Sequence, residues 1–137
     1  MSSLSVYRFN ALSNEDLSTL FMDTSIAELL TFILEDAGAE VLPVVYASRA
    51  LALLEQYQPT ILLCNIRLPD EDGLSLIAKI RTREVERKDE ALPAIAVSSY
   101  AREVNSADVL AAGFQKYIPK SKIANELVPA IAKLTEH

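Results

Sequence analysis

The sequence predicts an α/β fold, a parallel sheet covered by helices on both faces. Three observations carry this. From residue 17 onward, short β-rich runs alternate with segments of helical apolar spacing. The run 60–66 is apolar on both faces, as a strand sandwiched between two helical layers must be. All three glycines, Gly38, Gly73 and Gly113, fall at boundaries between these segments. Repeated βα units in this order imply right-handed crossovers, which place helices on both sides of one sheet.

Residues 17–22 read as the first strand, closing on Asp23. Ile26, Leu29, Leu30, Ile33 and Ala37 then follow a helical spacing, and Gly38 supplies the stop. Residues 41–46 form a second strand, which Pro43 assigns to a sheet edge or a bulge because proline donates no ladder hydrogen bond. Ala50, Leu51, Leu54 and Tyr57 mark a second helix, ended before Gln58-Pro59. Strand 60–66 leads to a third helix carrying Leu74, Ile77 and Ile80, which runs into a charged stretch, 81–90, expected to be a solvated helix end. Residues 94–97 are the fourth strand, and Ala107, Leu110 and Ala111 mark a short fourth helix stopped by Gly113. Residues 114–118 are the fifth strand, and Leu127, Ile131 and Leu134 face inward from the last helix, where Pro129 removes one backbone hydrogen bond. Residues 1–16 lie outside the pattern. Val6-Tyr7-Arg8-Phe9 alternates, so this extension either adds an edge strand, covers an apolar patch or is loosely ordered; residues 17–137 form the domain proper.

Composition narrows the function classes. Half the residues are apolar and 23% are charged, as in an ordinary globular domain. A net charge of −6 argues against a nucleic-acid partner. Cys64 is the only cysteine, which excludes an intramolecular disulfide and fits a reducing cytoplasm. No signal peptide is expected at the N-terminus, and no apolar run approaches the ~20 residues that span a bilayer. The single histidine, His137, leaves no Ser-His-Asp triad and no histidine-rich metal site, so neither an enzyme nor a metal centre is expected.

In a parallel sheet the C-terminal strand ends share one edge, where α/β domains place their ligands. That edge collects Asp23-Thr24 after the first strand, Asn65 after the third, Ser98-Ser99 after the fourth and Lys120 after the fifth. With the stretches Leu62-Leu63-Cys64-Asn65-Ile66-Arg67-Leu68-Pro69-Asp70-Glu71-Asp72-Gly73, Ala94-Ile95-Ala96-Val97-Ser98-Ser99-Tyr100-Ala101-Arg102-Glu103 and Ala111-Ala112-Gly113-Phe114-Gln115-Lys116-Tyr117-Ile118-Pro119-Lys120, the chain resembles the receiver domains of bacterial two-component response regulators, over residues 17–134. The resemblance implies a flavodoxin-like sheet of five parallel strands in the order 2-1-3-4-5. It further implies an aspartate that takes a phosphoryl group from a kinase histidine with Mg²⁺, and a shift of the fourth helix and fifth strand that changes a protein contact.

Against that pattern the chain departs at three places. The phosphoacceptor position is Asn65, a neutral amide and a poor oxygen nucleophile. The acidic pair after the first strand becomes Asp23-Thr24, one carboxylate where Mg²⁺ wants a fuller oxygen set. The proline after the lysine is replaced by Ser121. Ser98 matches the switch hydroxyl, Lys120 the conserved-type lysine and Tyr117 the switch aromatic, while Arg67 lies where its guanidinium can replace a cation. In the absence of a phosphoryl group, Lys120 is expected to pair with Asp23.

One substitution does not account for three departures, so the sequence reads as a naturally degenerate receiver without cofactor or metal. Its expected output is phosphorylation-independent binding to a sensor histidine kinase, another regulator or a linked domain, or a homodimer, through the fourth helix, fifth strand and fifth helix. Arg102, Glu103, Asn105, Asp108, Lys116 and Tyr117 are the candidate contact residues. Two alternatives stay open: a crevice that senses a small ligand or cofactor, and phosphorylation at a neighbouring carboxylate among Asp70, Glu71 and Asp72.

Overall fold

Apolar residues on both parities of a strand demand cover on both faces, and the architecture supplies it. The computed structural model describes residues 2–8, 17–19, 22–23, 27–36, 39–44, 46–56, 59, 61–66, 72–98 and 105–134. Side chains are described within 32–36, 46–56, 59, 61–66, 72–97 and 105–134. The strands are β1 (Ser2–Arg8), β2 (Leu17–Thr19), β3 (Met22–Asp23), β4 (Ala39–Val44), β5 (Ile61–Asn65), β6 (Ala94–Ser98) and β7 (Lys116–Pro119). The helices are α1 (Ala27–Asp36), α2 (Ala47–Gln56), α3 (Gly73–Arg87), α4 (Ser106–Ala112) and α5 (Ile123–Leu134).

At the centre, β5 pairs in parallel with β6 and β6 with β7. Alternation along these strands divides the core. Leu62, Cys64, Ala94 and Ala96 face a cluster built with Ala47 and Ala50 of α2, Leu76, Ile77 and Ile80 of α3, and Val109 of α4. Ile61, Leu63, Ile95, Val97 and Ile118 face the opposite cluster, built with Leu34 of α1 and Ile123, Leu127, Ala130 and Ile131 of α5. The two helical layers on either side of one sheet are therefore as the sequence predicts.

The sheet order is different. The strands run β2-β4-β1-β5-β6-β7, with β3 on β1. The expected order placed residues 17–22 in the centre. Instead β1, from the N-terminal extension, lies between β4 and β5 and is antiparallel to both, with Leu4 opposite Val44 on one side and Cys64 on the other. Every other strand runs in the common direction, because β2, β4, β5, β6 and β7 are mutually parallel and β3 opposes β1. The physical reason is that the slot beside β5 must be filled to satisfy its backbone groups, and the alternating stretch 2–8 satisfies them as well as a parallel strand does. Pro43 lies in the interior of β4, opposite Ser5 of β1. Among the described residues the ladder from β2 reaches the pair Thr19–Val41, two residues short of Pro43.

Helix ends follow their sequence signals. Asp72 caps α3 by accepting from the Ser75 N–H at 2.7 Å, and Asn105 caps α4 by accepting from the Ala107 N–H at 2.8 Å. Gly113, with φ of 131°, closes α4 in a conformation side chains rarely adopt. Within α4 the buried residue is Val109, whereas Ala107, Leu110 and Ala111 are exposed. A seven-residue helix is too short for apolar period to fix its inward face. The stretch 81–90 carries the expected solvated helix end, with α3 continuing to Arg87 and Lys88 closing it with φ of 57°, although Arg81, Arg83 and Glu84 are half-buried.

Candidate functional site

The parallel strands end together, and Asn65 is the last residue of β5. At 7% exposure it is the one buried polar residue among those described. It lies opposite Val97 of β6, and the following Ile66 N–H donates to the Val97 carbonyl at 3.3 Å. The start of α3 closes over this tip. A Cβ on Gly73 would stand 2.7 Å from the Asn65 carbonyl oxygen, 3.1 Å from Cys64 Sγ and 3.1 Å from Ile66 Cα. Only glycine lets the helix approach this near, and its own N–H donates to the Ile66 carbonyl. The N-terminal pole of a 15-residue helix therefore rests against the strand tip. Cys64 is fully buried beside it, its thiol donating to the Asn65 carbonyl at 3.2 Å, which is the environment of an inert core cysteine.

The remaining predicted residues divide by place. Ser98 ends β6 in register with Pro119, and Lys120 follows β7 directly, opening a 3₁₀ turn, Lys120–Lys122, on the same sheet edge as Asn65. Lys120 is exposed. Asp23 ends β3, opposite Ser2 of β1 rather than in the centre of the sheet. The expected Lys120–Asp23 pair rests on the Asp23 side chain, which lies outside the described residues, as do the Ser98 side chain and Thr24, Arg67, Arg102 and Glu103. Asn105 is exposed and serves as the α4 cap; Asp108 and Lys116 are exposed on α4 and β7. Tyr117 is half-buried and packs with the α2–α3–α4 cluster, and its buried hydroxyl has no hydrogen-bond partner among the described residues.

Sequence reasoning missed the polar wiring on the opposite edge of the sheet. Arg81 donates through Nε to the Gly113 carbonyl at 3.0 Å and through Nη2 to Gln115 Oε1 at 3.1 Å. Its Nη1 pairs with both carboxylate oxygens of Glu84, at 2.8 and 3.1 Å. Glu84 in turn accepts from the Leu92 N–H, and Gln115 Oε1 accepts from the Ala94 N–H. The spacing of Arg81 and Glu84, one helical turn apart, was the available signal, but nothing in it reveals a target 32 residues away. Between the helices, Glu55 of α2 receives Arg87 at 2.8 Å and also contacts Arg83.

The geometry meets its counterpart in known proteins. Residues 23–132 match the family described as the response regulator receiver domain. The chain is a receiver domain. It is 38% identical over 117 residues to an uncharacterized 14.6 kDa protein from the sodA1 3′ region of Leptolyngbya boryana, covering 85% of this chain and 87% of that one. It is 29% identical to the sensor protein GacS of Pseudomonas syringae pv. syringae over 90% of this chain, which spans only 14% of GacS. Among solved structures, a response regulator from Chloroflexus aurantiacus J-10-fl superposes with a TM-score of 0.74 at 25% identity, covering 84% of this chain and 92% of that one. The receiver fold, flavodoxin-like with helices on both sheet faces, is thereby shared. Within this receiver domain, the strand-end position that the resemblance assigns to the phosphoacceptor holds the Asn65 carboxamide.

Proposed function

We propose that this receiver domain signals through protein contacts that do not depend on aspartyl phosphate. The carrying observation is Asn65, a buried amide at the tip of β5 beneath the α3 N-terminus. An amide oxygen is neutral and its nitrogen lone pair is delocalised, so neither attacks a phosphoryl donor as a carboxylate does. The same side chain offers Mg²⁺ one neutral oxygen where the ion favours carboxylates beside phosphate oxygens. This donor chemistry does not fit a magnesium–phosphoryl centre, and the reading takes no step through one. Nor does it assign the domain an enzymatic activity.

The reading places the domain in the cytoplasm, with a sensor histidine kinase, another regulator or a linked domain as partner, or a second copy. The contact surface is the face of α4, β7 and α5. Asp108 and Lys116 are exposed there, and Leu110, 47% exposed, adds an apolar contact that the sequence pattern had assigned to the helix marker set. Phosphorylation at a neighbouring carboxylate loses support at Asp72, whose Oδ1 is engaged as the α3 cap.

The test is capture of partners from the source cell by the immobilised domain. The same proteins are expected with and without acetyl phosphate and Mg²⁺, and their loss is expected in the Asp108→Lys, Lys116→Glu variant. A bound set that changes with the phosphodonor contradicts the reading.

A further inference from the structure

We propose that Arg81 is a positioning residue for the contact face: from α3 it latches the pivot at Gly113 and so sets the pose in which α4 is presented. The proposal rests on the reading above that α4 belongs to that face. By its own packing α4 is lightly held. Of its seven residues Val109 alone is buried, and Ala112 is half-buried. Just beyond its C-terminal end the chain is fixed again. Phe114 is buried, the Gln115 N–H donates to the Ala94 carbonyl at 3.0 Å, and Gln115 Oε1 accepts from the Ala94 N–H at 2.7 Å. Between a short helix and a pinned strand, backbone freedom falls on Gly113, whose φ of 131° is open to glycine and costly for other residues. Arg81 lies across that residue. A Cβ on Gly113 would stand 3.0 Å from Arg81 Cγ and 3.4 Å from its Nε, and this Nε donates to the Gly113 carbonyl at 3.0 Å.

The guanidinium is itself held in a closed ring of hydrogen bonds. Its Nη1 meets both carboxylate oxygens of Glu84, and Glu84 accepts from the Leu92 N–H. Its Nη2 donates to Gln115 Oε1, which the Ala94 N–H also reaches. Leu92 and Ala94 are separated by Pro93 alone, so the circuit closes on itself. This ring joins α3 to the entrances of β6 and β7. The bond from Nε to Gly113 is a spur on it, and the spur carries the hold on to the C-terminal cap of α4. A guanidinium makes ring and spur together because its Nε and Nη donors diverge within one rigid plane. With the spur made, the face that carries Asp108 and Leu110 is presented in one pose. Without it, α4 keeps its buried Val109 and a free pivot. What the latch contributes to binding is therefore preorganisation, from a side chain that lies off the contact face.

Lysine separates the spur from the ring. Arg81→Lys puts a methylene where Nε stood, so the donor to Gly113 is lost, while the ammonium still reaches Glu84. Amide hydrogen exchange of the full chain is expected to quicken by about tenfold or more at residues 109–113, and by less than about threefold at 94–98. Gln115→Met opens the ring and spares the spur. There the ratio of exchange at 109–113 to that at 94–98 is expected to stay within about threefold of the unaltered chain. Equal acceleration of both segments in Arg81→Lys is general destabilisation and overturns the latch, as does no acceleration at 109–113. Selective loosening of α4 in Gln115→Met as large as in Arg81→Lys overturns it as well, since the spur then has no separate part. Should Arg81→Lys fail to fold, the unaltered chain in sub-denaturing urea decides. Amides 109–113 are expected to exchange through a local opening insensitive to urea, while 94–98 follow global unfolding; α4 amides that open solely with the whole domain overturn the proposal. No partner and no phosphodonor enter these measurements, so failure of the latch is read apart from failure of the phosphate-independent reading.

Discussion

The two edges of the parallel sheet are built on opposite principles. At the edge where strands begin, Arg81 is 20% exposed and Glu84 13%, and their charges are spent on each other, on Gly113, on Gln115 and on the backbone of Leu92. At the edge where strands end, the buried group is the neutral Asn65, and Lys120 stands exposed beyond it. The first edge ties α3 to β6 and to the turn between α4 and β7. The second keeps the close helix–strand approach of a receiver site around a side chain without charge. On the proposed reading, stability and signalling are separable: the scaffold is held at one edge, while the other holds an amide at the strand tip.

Substitutions can break or sharpen that contrast. The largest effect is expected at the strand tip. Gly73→Ala drives a methyl group into the Asn65 carbonyl at 2.7 Å, against backbone that cannot yield, and should cost about 3 kcal/mol in urea unfolding. A near-neutral result would mean that α3 does not seat as tightly as the geometry requires. Next comes the wired edge. Arg81→Ala leaves the half-buried Glu84 carboxylate without its counter-charge and the Gly113 carbonyl without the Arg81 donor, and is expected to cost about 2 kcal/mol.

The internal yardstick for Arg81 is Glu55→Ala. Glu55 is 42% exposed and Arg87 50%, so solvent screens this pair and its loss is expected to cost only about 0.5 kcal/mol. If the two substitutions cost the same by chemical denaturation, the wired edge is no more than a surface decoration. Between them in size, and opposite in sign, Tyr117→Phe removes a buried hydroxyl that has no partner among the described residues. It should raise the thermal midpoint, by about 1 kcal/mol of added stability. A loss of stability would show that the hydroxyl is satisfied in solution.

Much of this was legible in the sequence because it was written in local terms. The doubly apolar run ending at Asn65 and the glycine stop at Gly113 each state their structure within a few residues. Strand partners are not local. Residues 2–8 and 17–22 both satisfy a β pattern, and nothing in either says which neighbour it will take, so the occupant of the central slot differed from expectation. The Arg81 network was hidden for the same reason: a charge looks solvated until the fold brings a carbonyl and an amide to it. At α4, two turns gave too few residues to tell Val109 from Leu110. The family assignment survived these errors because it rests on residues 23–132 as a whole and not on the place of one strand.

The central claim concerns the chemical silence of Asn65, and intact-mass spectrometry after incubation with acetyl phosphate and Mg²⁺ meets it directly. The account predicts an unmodified chain, and a single acid- and base-labile phosphoryl adduct in Asn65→Asp only if the rest of the centre can still serve it. A labile adduct of one phosphoryl group on the unaltered chain would contradict the account.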